Sequence, residues 1–348
     1  MAGKLQFSLD EYKDAARKYR SDFLRLPIIG CNDTLQFMTG RPGIRYKESV
    51  GTLNATAQFA PYSPTRSKDA NLQLDFRTLE TFFGSVVAKF EPNSAISTLL
   101  GTGATKGDGQ KTTPTAREVL GLIAKSLSEH LNEAIWAGVR NANGDTTMDL
   151  FDGFDTITKK EITDGNIATS EGNYLRISDP ITSANAVDVA KEILFSLDPR
   201  LRSQTLFMYC SQDFVDKYNE GYLLTHSGIP YNTKYNQPTV EGSNGKLIFC
   251  PLSNKTDSKY IHISPKINML YGYDQMGDME SVDVEKFEPF VLSYIATMFF
   301  GVQFESLPDF INASPKLSFA VRKVKKRLHG KVLLCQEESF CEGRLIFG

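Results

Sequence analysis

The stretch FVLSYIATMFFGVQF, residues 290–304, carries no charged side chain. It is shorter than the ~20 residues that a membrane helix needs, and Ser293, Thr297 and Gln303 interrupt it, so it reads as a long, mostly buried strand. Just before it, Val282 and Val284 alternate with Asp283 and Glu285, the period-two pattern of a half-buried strand. Strands of this kind need an apolar surface to cover them, and the sequence offers one far upstream. Thr113 as cap, Pro114 at the first helical position, and Val119, Leu120, Ile123, Leu127, Leu131, Ala134 and Ile135 on one stripe predict a helix over 114–139. At 1.5 Å per residue such a helix is ~39 Å long and spans a domain. Arg117, Lys125, Ser128 and Asn132 fall on its opposite, exposed face, while His130 and Trp136 sit at the border of the stripe as packing residues. The closing strands leave the stripe no other large partner, so they are expected to pack on it, with the intervening residues as an insertion.

That insertion alternates helices and strands. A helix capped at Ser183 buries Ala186, Val187, Ala190, Ile193, Leu194 and Leu197 and stops at Asp198-Pro199. TLFMYC (205–210) reads as a strand, and Ser211 opens a further helix through Phe214, Val215, Tyr218 and Leu223. KLIFCPL (246–252) and KYIHI (259–263) follow as strands, giving an α/β or α+β unit. At the front, Ser8 and Glu11 have capping-box spacing and Tyr12, Ala15, Ala16, Tyr19 and Phe23 recur helically, which predicts a helix from about 9 to 25, stopped by Pro27 and Gly30. Between 41 and 83, SVGTLNATAQFA and NLQLDF flank the polar tip YSPTRSKDAN and predict a long two-stranded arm. Such a ribbon is marginal alone in water, so its shielding is expected to come from other copies of the chain. GTGATKGDGQKTT (101–113) reads as a loop; Lys106 precedes Gly107 and Asp108, which departs from a phosphate-binding loop.

The 348 residues suggest two domains or one large domain with an insertion. With 39 basic against 41 acidic side chains, the molecule as a whole has no strong pull toward nucleic acid or a membrane. Five scattered cysteines fit neither a disulfide framework nor a zinc site, and the start shows no secretory signal. The histidines at 130, 226, 262 and 329 form no metal-peptidase pair, and no nucleophile elbow, dinucleotide fingerprint or CxxC is present. His262 reads as a satisfied strand histidine, and Cys210 and Cys250 as small buried hydrophobes. The acidic residues Asp274, Asp278, Glu280, Asp283, Glu285 and Glu288 lack the spacing of a calcium loop and read as a solvated strand edge. Arg322, Lys323, Lys325, Lys326, Arg327 and Lys331 form a basic cluster that is either a phosphate contact or a solvated tail. No catalytic, cofactor or metal residue is expected.

Taken in order, the arm (Ile44 to Phe83), the helix from Pro114 to Val139, the segment DPRLRSQTLFMYCSQDFVDKYNEGYL (198–223) and FVLSYIATMFFGVQF resemble the tailed-bacteriophage major capsid proteins of the Hong Kong 97-type fold. The resemblance implies an α+β chain. It comprises an N-terminal arm (1–43), an extended β-hairpin loop (44–90), a peripheral domain with a spine helix (91–180), an inserted mixed α/β axial subdomain (181–280), closing strands (281–312) and a basic C-terminal tail (313–348). It further implies a non-enzymatic shell subunit, without cofactor, that forms pentamers and hexamers around double-stranded DNA in a virion assembled in the host bacterial cytoplasm. Tyr62, Arg66, Lys68 and Asp69 at the loop tip would meet a neighbouring subunit, and Arg322, Lys323, Lys325, Lys326 and Arg327 would touch DNA without sequence preference. A separate scaffolding protein and a portal are the implied partners, with no membrane; no crosslinking residues can be matched. An encapsulin-like compartment shell and a soluble mixed-fold enzyme are the alternatives.

Overall fold

The computed structural model describes residues 9–19, 31–56, 61–63, 71–91, 116–177, 180–225, 238–255, 258–274, 282–289, 291–307 and 318–322. In chain order these form α1 (Leu9–Lys18), α2 (Asn32–Leu35), β1 (Thr39–Pro42), β2 (Lys47–Thr56), β3 (Asn71–Glu80), β4 (Phe82–Phe90) and α3 (Ala116–Ala137). Next come α4 (Phe154–Thr163), β5 (Tyr174–Ile177), α5 (Ala186–Ser196), α6 (Pro199–Arg202), β6 (Leu206–Ser211) and α7 (Gln212–Thr225). The last elements are β7 (Leu247–Leu252), β8 (Tyr260–Ser264), β9 (Met269–Tyr273), β10 (Val282–Glu288), β11 (Val291–Phe304) and β12 (Ser318–Arg322). The Ser8 cap, Pro27, Gly30, the 101–113 loop with Lys106, Thr113, Pro114, Asp278, Glu280 and residues 323–348 lie outside the described residues.

The first sheet is organised around β11. Its first part pairs antiparallel with β10 on one side and with β4 on the other, and its last residues pair with β9, which runs parallel to β1. The side chains that β11 turns to one face bury the stripe of α3, as expected. Leu120 packs with Val284, Leu292 and Tyr294, and Tyr12 and Ala16 of α1 close the same cluster. Further along, Leu131, Ala134, Ile135 and Trp136 pack with Phe300, Val302 and Phe304. The described helix has 22 residues, or ~33 Å at the standard rise.

Its opposite face is not simply solvated. Ser128 is buried, its carbonyl accepts from the Cys31 thiol at 3.2 Å, and Thr34 Oγ1 donates to Asn132 Oδ1 at 2.6 Å, because α2 lies across this end of the helix. Trp136 is fully buried in the core rather than at a border, whereas His130 is exposed with Nδ1 2.9 Å from the Ser126 carbonyl.

The second sheet runs β5-β12-β8-β6-β7 and is covered by α5 and α7. Ala186, Val187, Ala190, Ile193 and Leu194 of α5 pack with Met208, Phe214, Tyr218, Phe249 and Ile263, the buried face expected from the sequence. Ser183 does not cap α5: the helix starts at Ala186 after Asn185, and the Ser183 hydroxyl instead donates to Glu220 on α7. Asp198 does end it, and its carboxylate accepts from the Arg200 amide at 2.7 Å to open α6.

Two features depart from the expected organisation. Residues 318–322 form strand β12 between β5 and β8, parallel to the first and antiparallel to the second, so the segment after 312 begins as part of the sheet and not as a tail. The insertion also has different edges: β5 precedes it in sequence yet joins the second sheet, while β9 within it joins the first. Backbone pairing decides these memberships, and five-residue strands give too little hydrophobic periodicity to announce them.

Candidate assembly surface

Strands β2 and β3 form a sheet of their own, paired antiparallel from Lys47↔Glu80 to Thr56↔Asn71. At ~3.4 Å per residue this ribbon extends about 30 Å from root to tip. The root is seated on the body. Val50 and Leu79 bury with Ile44 and Leu270. Thr81 Oγ1 donates to the Ile44 carbonyl at 3.0 Å and accepts from the Tyr46 amide at 3.0 Å, while the Thr81 amide donates to the Tyr46 carbonyl at 2.7 Å.

Two facing glycines make the seat close. Gly272 and Gly301 are partners in the β9–β11 register; a Cβ on Gly301 would lie 2.0 Å from the Glu80 carbonyl oxygen, and one on Gly272 would lie 2.8 Å from the Thr81 methyl. Arg77 of the ribbon forms an ion pair with Glu161 of α4 and donates to Gln303 Oε1 at 3.3 Å, and Gln303 in turn donates to the Thr78 carbonyl at 3.2 Å. The ribbon is therefore shielded by its own body at the root, which limits the expectation that other copies provide all of its shielding. Beyond the root, Phe76 is 67% exposed and Tyr62, at the start of the tip, is 94% exposed.

Between ribbon and body lies a cleft of about 410 Å³ whose lining includes Phe76, Arg77, Phe82, Phe151, Asp152, Ile157, Glu161, Asp164, Val302 and Gln303. Its carboxylates are mostly matched: Glu161 by Arg77, Asp152 by Lys160 at 2.6 Å, and Glu80 by Lys47. The expected solvated acidic edge is occupied at one end, where Asp274 accepts from Arg45 Nε at 2.8 Å, while Asp283, Glu285 and Glu288 on β10 are exposed.

A second polar group lies in the core between the two sheets. Lys255, with a fully buried side chain, donates to Asp155 Oδ1 and to Ser258 Oγ, both at 2.8 Å, and its ammonium stands 4.3 Å from the Trp136 ring centroid. His262, equally buried, has Nε2 2.8 Å from Thr158 Oγ1 and Nδ1 3.8 Å from Asp155. Burial, and secondarily the charge on Lys255, push the His262 pKa well below its ordinary value, and burial likewise lowers that of Lys255 against the pull of Asp155. These groups join α4 to β8 of the second sheet, with Lys255 and His262 fully buried and Asp155 partly exposed, and serve as a pin between them. The thiols of Cys31 and Cys210 are buried and pushed up to about 12 by that burial, and burial raises that of Cys250 too, which leaves all three protonated and inert. Among the described residues, no three His, Cys, Asp or Glu side chains converge as a metal site.

Of the residues read from the sequence as contacts, Tyr62 is exposed, and Arg66, Lys68 and Asp69 lie outside the described residues. Arg322 ends β12 opposite Ile177, and Lys323, Lys325, Lys326 and Arg327 also lie outside the description. The residues that seat the ribbon, Thr81, Gly272, Gly301, Arg77, Glu161 and Gln303, had no local signal, since they come from four separate elements and the link between β3 and β4 and meet only in space.

No protein-family model matches the chain, and no curated protein is significantly similar to it. Among solved structures, a chain of the satellite phage P4 procapsid including the size determination (Sid) protein superposes with a TM-score of 0.52 at 14% identity, covering 86% of this chain and 90% of that one. A chain of Mycobacterium phage Adephagia matches with a TM-score of 0.47 at 12% identity, covering 84% and 90%. One from the capsid of an empty GTA particle gives 0.49 at 12%, with coverage of 84% and 90%. The P4 superposition establishes the fold: this chain has the phage capsid architecture that the Hong Kong 97-type resemblance implied.

Proposed function

We propose that the protein is a structural head protein that self-assembles through pentamers and hexamers into an icosahedral shell around double-stranded DNA. The observation that carries this reading is the fold shared with a phage procapsid chain over nearly the full length of both. The ribbon supports it: beyond its seated root, Phe76 and Tyr62 stand in water, and cover by another molecule stabilises a two-stranded sheet of this kind. In this reading the ribbon is the extended loop, α3 the spine of the peripheral domain, and the second sheet with α5 and α7 the axial subdomain. Tyr62, Arg66, Lys68 and Asp69 contact a neighbouring subunit. Arg322, Lys323, Lys325, Lys326 and Arg327 neutralise DNA phosphates on the inner wall. The role is structural and not catalytic, the location is the virion capsid assembled in the host bacterial cytoplasm, and a separate scaffolding protein and a portal complete the assembly.

Negative-stain microscopy of the purified protein, alone and co-expressed with its genomic neighbours, tests the reading. Capsomers, sheets or closed shells are the expected outcome. A small, monodisperse oligomer under every condition overturns it, and particles enclosing a protein cargo in place of nuclease-protected DNA reassign it to an encapsulin-like compartment.

A further inference from the structure

We propose that the joint between α4 and the second sheet is an acid-sensitive latch, with His262 as its sensor and the carboxylate of Asp155 as the anion that closes it. The proposal concerns the single subunit and goes beyond the shell reading, on which it does not depend.

The latch lies where the two sheets meet. Helix α4 packs on α3 and β11, and Phe154 at its start sets its ring 5.5 Å from that of Trp136 and 5.0 Å from that of Phe304. Across from it stand Lys255, at the end of the turn Ser253–Lys255, and His262 on β8. Among the described residues, none of α4 belongs to the core that α5 and α7 build on the second sheet, so that core can stay closed while α4 lets go.

Hydrogen bonding fixes where a proton can enter. Thr158 Oγ1 donates to the Phe154 carbonyl at 2.7 Å, so its oxygen is left to accept from His262 Nε2 at 2.8 Å. The neutral ring then carries its hydrogen on Nε2 and its lone pair on Nδ1, the atom that faces Asp155 Oδ1 at 3.8 Å. That same oxygen already accepts from the Lys255 ammonium at 2.8 Å. A proton on Nδ1 would therefore set a second cation beside the first, both fully buried, with one carboxylate between them. Two desolvated charges sharing a single counter-ion are costly.

The other ionisable groups near the ring supply no further anion. Tyr209 on β6, which pairs with His262 in register, and Tyr260 hold their protons because burial raises their pKa, and the Cys210 and Cys250 thiols do the same. Trp136 and Phe304 contribute only their rings, 5.8 and 6.0 Å from the imidazole. The closed joint thus refuses a proton that the opened joint accepts. Asp155, with 13% of its side chain exposed, is the charged member that touches water, and the joint opens from its side. The opened fraction rises as the pH falls below the ordinary histidine value of about 6.5, by about tenfold per unit.

Hydrogen exchange of the wild-type chain tests the latch. Between about pH 7.5 and about pH 5, opening at the α4 amides, corrected for intrinsic exchange chemistry, is expected to rise about thirtyfold, against less than about threefold at the α3 amides. His262→Gln, which keeps a donor toward Thr158, is expected to abolish the rise. Lys255→Met leaves Asp155 to the imidazolium, so the closed joint accepts the proton and the rise is expected to shrink. A second readout needs no variant: the sole tryptophan, Trp136, lies against both Lys255 and His262, and its fluorescence is expected to change at a higher pH than the far-ultraviolet circular dichroism. Exchange at α4 that only keeps pace with α3 overturns the proposal. So does an undiminished rise in folded His262→Gln or Lys255→Met, or a fluorescence change that coincides with the loss of circular dichroism.

Discussion

Gly301 is the point at which the ribbon comes nearest to the body, and its missing side chain is what permits the approach to the Glu80 carbonyl. The obstacle is backbone and cannot rotate away, so Gly301→Ala must push β3 off the sheet or bend β11. A cost of about 1–3 kcal/mol is expected, typical of overpacking, and a denaturation midpoint measured beside the wild type checks it. His262 makes a different kind of claim. Its folded-state pKa is depressed by burial and by Lys255, so the unfolded chain takes up a proton at about pH 6.5 that the folded chain refuses. Stability contributed by the neutral ring is therefore full above that pH and is lost as the pH falls, by up to about 1.4 kcal/mol per unit. His262→Gln should flatten the slope of stability between pH 6.5 and 5 by up to one proton, which urea titrations at several pH values would read; equal slopes contradict it. The strand pattern of KYIHI shows His262 as a packing residue, but Asp155 lies a hundred positions before Lys255 on another element, and nothing local pairs them.

Among the elements, the ribbon and β12 carry opposite expectations. Tyr62, at the start of the tip, is 94% exposed, so deleting residues 63–70 should leave the subunit folded with an unchanged melting temperature while particle formation fails. A melting temperature lowered by more than a few degrees would place the tip in the core. Strand β12, by contrast, lies between β5 and β8 and, among the described residues, is what joins them in the second sheet. Truncation after residue 317 removes two ladders of hydrogen bonds, leaves Ile263 and its neighbours with an open edge, and should lower the melting temperature clearly; an unchanged value would show that the strand is dispensable. Charge explains why β12 escapes a reading of the sequence: the basic residues from Arg322 onward dominate the region, and SFAVR is too short to stand out before them. The long elements are different. The stripe of α3 and the uncharged run of β11 repeat their pattern often enough to show both their type and their buried face.

Across the molecule, the same ribbon is seated at its root on its own body and leaves Phe76 and Tyr62 exposed beyond it, and assembly should change only the part beyond the root. Hydrogen exchange is expected to find the amides near Val50 and Leu79 protected in subunit and particle alike, and those near Thr56 and Asn71 protected only in particles; protection of both in the subunit would remove the reason for a neighbour. While the α+β class came from the resemblance, composition, the helical stripe at 119–135 and the strand at 290–304 were enough to specify a projecting arm and a long helix under closing strands. These follow from hydrophobic periodicity, which is a property of neighbouring residues along the chain. The seat of the ribbon on Gly272 and Gly301, the buried Lys255 pin, the place of β12 and the cleft at the root became visible only once the chain was folded. Each depends on groups brought together from distant segments by packing and backbone pairing, and periodicity carries no information about such meetings.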